Sequence, residues 1–342
     1  MNEDITTTFR EAKKLIERSE KILLICHRRP DGDTLGANIA IHLMLQEMGK
    51  QTTLACIDEP SERYDFLPDI QRFVHEFTFT DYDLLIVSDA GAHYMTQYHT
   101  IYPDIFSGKV PVLNIDHHAS NDNFGTLNMV DPIAPSTTVL LYRWFAFLRA
   151  NITPAIATAL LTGIYNDTGS LMHSNTTPEV YAISADLVAK GAKVNSISRY
   201  MFRSNPLSTL KLWGRVLENM KVTDDGVCMS VLTMKDFEES GAHPDESGGV
   251  IDLLNAVPDT KFSVLLAEDG KGNIKGSFRT RRDDIDLSAL AANFNGGGHK
   301  KAAGFSIPGT IQKEIMWKII SDKPLPDGMQ NPIHGLEISR PL

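Results

Sequence analysis

Apolar and polar positions in this chain repeat a two-part pattern: a short, nearly unbroken apolar run, then a longer stretch with helical spacing. KILLIC (21–26), QTTLAC (51–56), YDLLIVSDA (82–90) and VPVLNIDHH (110–118) are the apolar runs, each of a length that suits a buried strand. FREAKKLIERSE (9–20), TLGANIAIHLMLQEMGK (34–50), PSTTVLLYRWFAFLRAN (135–151) and TPAIATALLTGIYNDTG (153–169) carry helical spacing. In the second of these, Leu35, Ile39, Leu43 and Met48 share one side, and Gly49 lies near the stop. Strands alternating with helices predict a parallel sheet covered on both faces, an α/β/α arrangement.

The pattern changes after residue 190. Residues 190–220 are helical, interrupted at Asn205-Pro206, and hold no cluster of ligand-type side chains. Beyond them, strand patterns at 227–233, 261–269 and 273–282 alternate with helical ones at 248–257 and 286–294. The expected organisation is an N-terminal parallel-sheet domain over 1–190, a helical linker over 191–221, and a smaller α/β domain with a mixed sheet over 222–342. The Pro-rich tail, 322–342, reads as irregular.

With 342 residues and 42% hydrophobic content, the chain is long enough for two cores. A formal net charge of −10 argues against coating long duplex DNA, although a local arginine cluster can still hold a small anion. Cys26, Cys56 and Cys228 are scattered and form no CxxC pair, which predicts reduced thiols in a cytoplasmic protein. The polar N-terminus is neither a signal peptide nor an anchor, and no apolar run reaches the roughly 18 residues of a membrane span.

The candidate chemistry lies at the ends of the predicted strands, where ligands collect in open parallel sheets. His27, Asp31 and Asp33 follow the first strand, Asp89 the third, and Asp116, His117 and His118 the fourth; Asp167 ends a helix in NDTG. So many carboxylates in one pocket repel unless cations neutralise them. Two divalent ions about 3.5–4 Å apart, sharing a carboxylate, would use such a set. Mixed imidazole and carboxylate ligation suits Mn²⁺ better than Mg²⁺, which remains the alternative. Neighbouring residues of an extended segment point opposite ways, so His117 and His118 are not expected to bind one ion; Asp116 can then hold an imidazole from behind.

HRRPDGD, a strand-end aspartate, DHH and NDTG, in this order, resemble the motifs of the DHH phosphoesterase superfamily. FNGGGHKKAAGF (294–305) is similar to the Gly-Gly-Gly-His signature of the DHH-associated domain, and the resemblance runs to about residue 310. The length and two-domain plan look most like the nanoRNase and pAp-phosphatase branch, some of it described as exopolyphosphatase-related. The resemblance implies one metal on His27, Asp31 and Asp89, and a second on Asp33, Asp89, His117 and Asp167, with Asp89 bridging. It implies that His118 faces the scissile phosphate, with Asp116 beside it as a catalytic residue, and that phosphorus is attacked in line. It places Arg279, Gly296, Gly297, Gly298 and His299 on the substrate, the glycines as a loop whose N–H groups approach an anion. VSDAG departs from the Asp-Thr context of many relatives without removing the ligand.

The plainer readings are an Asp cap at residues 31–33, an Asx turn at Asp167, a helix stop at the glycines, and Cys26 as a small buried apolar residue. His42, His75, His93 and His99 have no partner pattern and read as surface or helix-face residues. The expected activity is an Mn²⁺-dependent phosphohydrolase acting on short oligoribonucleotides, with pAp as a further substrate. The alternatives are a linear or cyclic dinucleotide phosphodiesterase of second-messenger turnover and, in a different class, a non-enzymatic nucleotide-binding regulator. The regulator is disfavoured because every expected ligand is present. A homodimer is an expectation drawn from relatives alone.

Overall fold

The computed structural model describes residues 3–202, 205–312, 317–320 and 336–339. Two compact units divide the chain, Met1–Pro206 and Leu207–Leu342. In the first, α1 (Glu3–Arg18), β1 (Lys21–Ile25), α2 (Gly32–Glu47), β2 (Gln51–Ala55), β3 (Leu84–Ser88), the single turn α3 (Tyr98–Ile101), β4 (Val112–Asp116) and β5 (Leu127–Val130) precede α4 (Thr137–Leu148), α5 (Pro154–Asp167), α6 (Pro178–Ala189) and α7 (Val194–Phe202). The five strands lie in the order β2-β1-β3-β4-β5, and every pairing is parallel.

The strands are apolar on both sides because both faces are covered. Ile22, Leu24, Ile86 and Ile115 pack with the long helices. Leu23, Ile25, Leu85 and Val87 pack on the other face against Tyr98, Ile105 and the 3₁₀ turns Phe79–Asp81 and His93–Thr96. That second cover is made of short turns rather than long helices. The strand order reverses between β1 and β3, and at such a switch point the carboxyl ends of two neighbouring strands open a crevice. His27 follows β1 and Asp89 follows β3, so the switch point carries ligand-type residues from both sides.

Helix α2 departs from the one-sided reading. Gly32 to His42, Met44 and Leu45 are buried, whereas Leu43 is only partly buried and Met48 lies past the helix end, 44% exposed. The helix is enclosed because α5 lies directly on it. A Cβ on Gly36 would stand 2.4 Å from the Ala159 carbonyl oxygen, and a Cβ on Gly163 would stand 2.3 Å from Asp33 Oδ1. Only glycine permits that approach, and the approach brings the start of α2 to the end of α5. The aromatics of 142–145 serve a packed helix as expected: Trp144 and Phe145 are fully buried.

The second unit contains α8 (Leu207–Glu218), β6 (Lys221–Val222), β7 (Val227–Leu232), α9 (Met234–Ser240), α10 (Ile251–Leu254), β8 (Phe262–Glu268), β9 (Asn273–Arg279), α11 (Leu287–Ala292), β10 (Gly297–His299) and β11 (Ala302–Pro308). Its six-stranded sheet runs β10-β11-β9-β8-β7-β6 and is mixed, since β7 and β8 pair in parallel and the other pairs are antiparallel. One face packs with α8, α9 and α10 through Cys228, Leu232 and Leu265; Phe278 and Ala303 meet α11 on the other. Of the segment 191–221, α7 joins the first core through Ile197 and α8 joins the second through Leu212 and Val216. In the tail, β13 (Leu336–Ser339) pairs in parallel with β12 (Trp317–Ile320), so it is not irregular throughout; residues 322–335 and 340–342 lie outside the described residues. Among the described residues no helix is long and apolar enough to cross a membrane.

Candidate metal centre

Asp31 is the N-cap of α2: its Oδ1 accepts from the N–H groups of Asp33 (3.0 Å) and Thr34 (3.1 Å). The plain capping reading is therefore correct, and the cap still leaves Oδ2 for Asn166 Nδ2 at 3.2 Å. Asp33, in the first turn of the same helix, is fully buried. It accepts from Thr137 N (2.6 Å), Thr138 N (3.1 Å) and Thr138 Oγ1 (2.7 Å), so the first turn of α4 is aimed at its carboxylate. Asp89 is held at φ +61°, a strained conformation for a side chain of this kind, and its Oδ1 accepts from Thr137 Oγ1 at 3.0 Å.

The histidines are oriented from behind. A carbonyl can only accept, so His27 Nδ1–H donates to the Arg28 carbonyl at 2.7 Å and His117 Nδ1–H donates to the Ala134 carbonyl at 3.1 Å. Both rings then present Nε2 to carboxylates. His27 Nε2 stands 3.8 Å from Asp89 and 3.9 Å from Asp31, too far for a hydrogen bond. His117 Nε2 stands 3.1 Å from Asp167 and 3.6 Å from Asp89. His118 is different: its Nδ1 donates to Asp116 Oδ1 at 2.7 Å, and Asn121 Nδ2 donates to the other oxygen of Asp116 at 2.5 Å.

The sequence expectation for the DHH triplet needs one correction. The rings of His117 and His118 do not diverge; they meet edge to face with centroids 4.7 Å apart. Strand β4 ends at Asp116, so the alternation of an extended segment no longer applies to the two residues that follow. Their hydrogen bonds, not the strand, separate them.

Three groups in the first unit have ligand atoms close enough to hold a cation: His27, Asp31 and Asp89; Asp33, Asp89 and His117; and Asp89, Asp116 and His118. Asp89 belongs to all three. Asp167 joins the cluster through His117. The electrostatics describe the same place. Burial, then the charge of Asp167, pushes Asp33 up to about 7. Burial, then Asp33, Asp31 and Asp167, pushes Asp89 well above the usual carboxylate range. Burial opposes the charged form of His117, but Asp167, Asp33 and Asp116 outweigh it and raise the ring to about 9. Burial likewise opposes ionisation of Asp167 and Asp116, and their bonds to His117 and His118 overcome it and lower both. Two packed carboxylates that resist ionisation, Asp33 and Asp89, beside imidazoles whose tautomers are preset, make a donor set that fits divalent cations.

The second unit carries the remaining candidates. Gly297–His299 is not a loop but β10, an edge strand paired with β11. The three glycines are not equivalent. A Cβ on Gly296 would stand 2.2 Å from the Gly304 carbonyl oxygen, and one on Gly298, at φ +136°, would stand 2.6 Å from that of Ala302; one on Gly297 would meet nothing within 4 Å. Two of the glycines thus let β10 and β11 close on each other, and one faces open space. Arg279 and His299 both register with Ala302 across neighbouring strands, so the three share a row and a face of the sheet. The guanidinium of Arg279 pairs with Asp252 at 3.3 Å.

Sequence reading missed Thr137, Thr138, Asn121, Asn166 and the Ala134 carbonyl, all of which position the cluster. Only PSTT, a capping signature before an apolar helix, hinted at any of them. His42, read as a surface or helix-face residue, does lie on α2, but it is buried, bonded to Thr52 Oγ1 at 2.7 Å and 3.4 Å from Asp69, and those partners were missed. Cys26 is fully buried, as a small apolar residue should be.

The sequence matches the DHH family, N-terminal domain, over residues 21–164 and the DHHA1 domain over residues 224–323. The bifunctional oligoribonuclease and PAP phosphatase NrnA of Thermus thermophilus is 31% identical over 293 residues, 84% of each chain. The chain belongs to the DHH family. NrnA of Bacillus subtilis is 24% identical over 300 residues, 87% of this chain and 92% of that one. The crystal structure of an exopolyphosphatase-related protein from Bacteroides fragilis matches with a TM-score of 0.82 at 25% identity, covering 89% of this chain and 92% of its own. An Asp-His-His triplet, Asp116-His117-His118, lies within the matched span at the carboxyl edge of the parallel sheet.

Proposed function

We propose that this chain is a divalent-metal-dependent phosphohydrolase that degrades short oligoribonucleotides to mononucleotides and dephosphorylates 3′,5′-bisphosphonucleotides such as pAp. The observation that carries the reading is the common position of Asp89 in three groups of ligand atoms at the switch point of the sheet. His27, Asp31 and Asp89 would hold one Mn²⁺, and Asp33, Asp89, His117 and Asp167 a second, with Mg²⁺ as the alternative. Such ions, when bound, acidify water and offset charge on the attacking and leaving oxygens.

The chain's own residues do the rest. The Arg28 and Ala134 carbonyls fix the tautomers of His27 and His117, and the first turn of α4 holds Asp33 in place. Asp116, clamped by Asn121, orients His118 through Nδ1, and His118 would contact the scissile phosphate or give a proton to the leaving oxygen. In the second unit, Arg279, Gly297 and His299 would take the part of the substrate beyond that phosphate, with Gly296 and Gly298 shaping the strand that presents them. With Cys26, Cys56 and Cys228 all free, we assign the protein to the cytoplasm.

The test is a chromatographic panel with Mn²⁺ comparing pApA, longer oligomers, pAp, cyclic dinucleotides and pyrophosphate. Mononucleotide release from pApA and phosphate release from pAp are expected to be fastest. Preference for cyclic dinucleotides or pyrophosphate would replace the substrate assignment, and tight binding without turnover of any of them would make the protein a regulator.

A further inference from the structure

We infer that Ile133 and Met172 form a nucleobase subsite beside the metal cluster. The inference rests on the phosphohydrolase reading, which supplies a nucleotide as the molecule whose phosphate meets the cluster.

Among the described residues, Ile133 and Met172 are the most exposed large apolar side chains, at 83% and 82%. Scattered exposed apolar residues need no explanation, but the backbone that presents these two is tied to the cluster itself. Ile133 sits in a turn whose next residue, Ala134, holds His117 through its carbonyl. That turn is fixed at both ends: Asp131 N donates to the Asp116 carbonyl (3.0 Å), Ile133 N to Asp131 Oδ1 (3.1 Å), and Arg143 Nη1 to Asp131 Oδ2 (2.7 Å).

Met172 lies five residues after Asp167, in a loop that is also fixed. Ser170 and Leu171 both adopt positive φ (+59° and +67°), a local cost that persists only when the surroundings impose it. His173 Nδ1–H donates to the Asp167 carbonyl at 3.3 Å, and the Tyr181 hydroxyl donates to the Leu171 carbonyl at 3.3 Å. Asn175 Nδ2 joins the two loops, donating to the Asp167 carbonyl (3.2 Å) and to the Pro135 carbonyl (3.3 Å). Two rigid turns flanking His117 and Asp167 therefore expose one branched aliphatic side chain and one thioether.

The occupant follows from chemistry. The cluster is anionic without its cations, and with them it selects phosphate. A molecule that brings phosphate there and apolar surface beside it is a nucleotide, whose base has two apolar faces and a polar edge. A thioether against a flat π-system is a favourable contact, and an aliphatic side chain suits the same face. Every base has such a face, so the subsite should bind purines and pyrimidines with little discrimination, as stacking platforms do.

The experiment uses the full-length protein loaded with Mn²⁺. Wild type, Met172→Ala, Ile133→Ala and the double variant are assayed on pAp and on its abasic counterpart, ribose 3,5-bisphosphate. Separately, ¹³C-methyl NMR follows the Met172 methyl on addition of AMP or of ribose 5-phosphate. The expected result is a loss of kcat/KM on pAp about tenfold larger for each single variant than on the abasic compound, together with a ring-current shift of the Met172 methyl with AMP and none with ribose 5-phosphate. Equal losses on the two compounds, or a Met172 methyl that ignores AMP, would overturn the subsite. If wild type hydrolyses neither compound while the methyl still shifts with AMP, the reaction assignment fails and the subsite stands.

Discussion

Asp89 accepts one hydrogen bond from Thr137, occupies a left-handed conformation, and reaches His27, His117 and His118 at 3.6–3.8 Å. No other residue of the cluster has that reach, so truncating it should act on both proposed ions at once. Asp89→Ala is expected to lose both equivalents of Mn²⁺ and all turnover, whereas Asp33→Asn should weaken one; elemental analysis beside an activity assay separates them. His118→Ala should keep its metal while kcat falls about 10²–10⁴, the range for a positioned acid–base group. Loss of one metal equivalent in that variant would exchange the roles of His117 and His118. The cluster also sets a pH dependence. Asp33 is raised from 3.8 to about 7, so between those values the folded metal-free protein keeps a proton that the unfolded chain has lost, and stability falls as pH rises through that window. His117, raised from 6.5 to about 9, adds stability that is whole below 6.5 and gone once pH passes about 9. With EDTA the melting temperature should drop from pH 5 to pH 9, and the increment given by Mn²⁺ should grow over the same range as metal replaces protons. Asp33→Asn should flatten the acidic part of that slope; a wild-type increment independent of pH would contradict the assignment.

At the scale of elements, the glycines of α2 and α5 decide whether the cluster can assemble. Gly163→Ala would force a methyl against Asp33 Oδ1 and the Thr138 side chain, so it should lower both melting temperature and Mn²⁺ affinity. Gly36→Ala would meet backbone at Ala159 and should destabilise by about 1–3 kcal/mol. Gly214→Ala in α8, where a Cβ meets nothing, should instead stabilise by about 0.5–1 kcal/mol, and differential scanning calorimetry ranks the three. The same elements show what could be read from sequence. Strands β1, β3 and β4 were legible because a parallel strand buried on both faces is a plain apolar run, and their ligands were legible because each run stops at a charged or imidazole side chain. β5, four residues that include Asn128, lacks that run and escaped notice. The enclosure of α2 was not legible either, because Gly36 and Gly163 reveal their purpose only when α5 is laid on α2. The pairing of the histidine rings depended on where β4 stops. Asp33's three donors come from about a hundred residues away in sequence, and no local pattern announces such partners.

At the scale of the whole molecule, the proposed chemistry and the proposed grip on the substrate belong to different units. The proposed metal ligands lie before residue 206, and Arg279 and His299 lie after it. Neither of the latter is needed to activate water, so their loss should leave metal content unchanged. Arg279 is paired with Asp252, whose side chain is half exposed, so the guanidinium can exchange that partner for an anion and leave the carboxylate to water. A charge-assisted contact to an anion is worth roughly 1.5–3 kcal/mol, so Arg279→Ala should cost about one to two decades in kcat/KM on a dinucleotide. His299 shares the sheet face of Arg279, with the small side chain of Ala302 between them, so His299→Ala should affect the same substrates. Bis-p-nitrophenyl phosphate has no second phosphate and no nucleobase for these residues to hold, and the loss on it should be small. The comparison of kcat/KM on pApA and on bis-p-nitrophenyl phosphate, for both variants, is decisive. Equal losses on the two substrates would make Arg279 and His299 supports of the second unit's fold, and substrate length would then have to be read elsewhere.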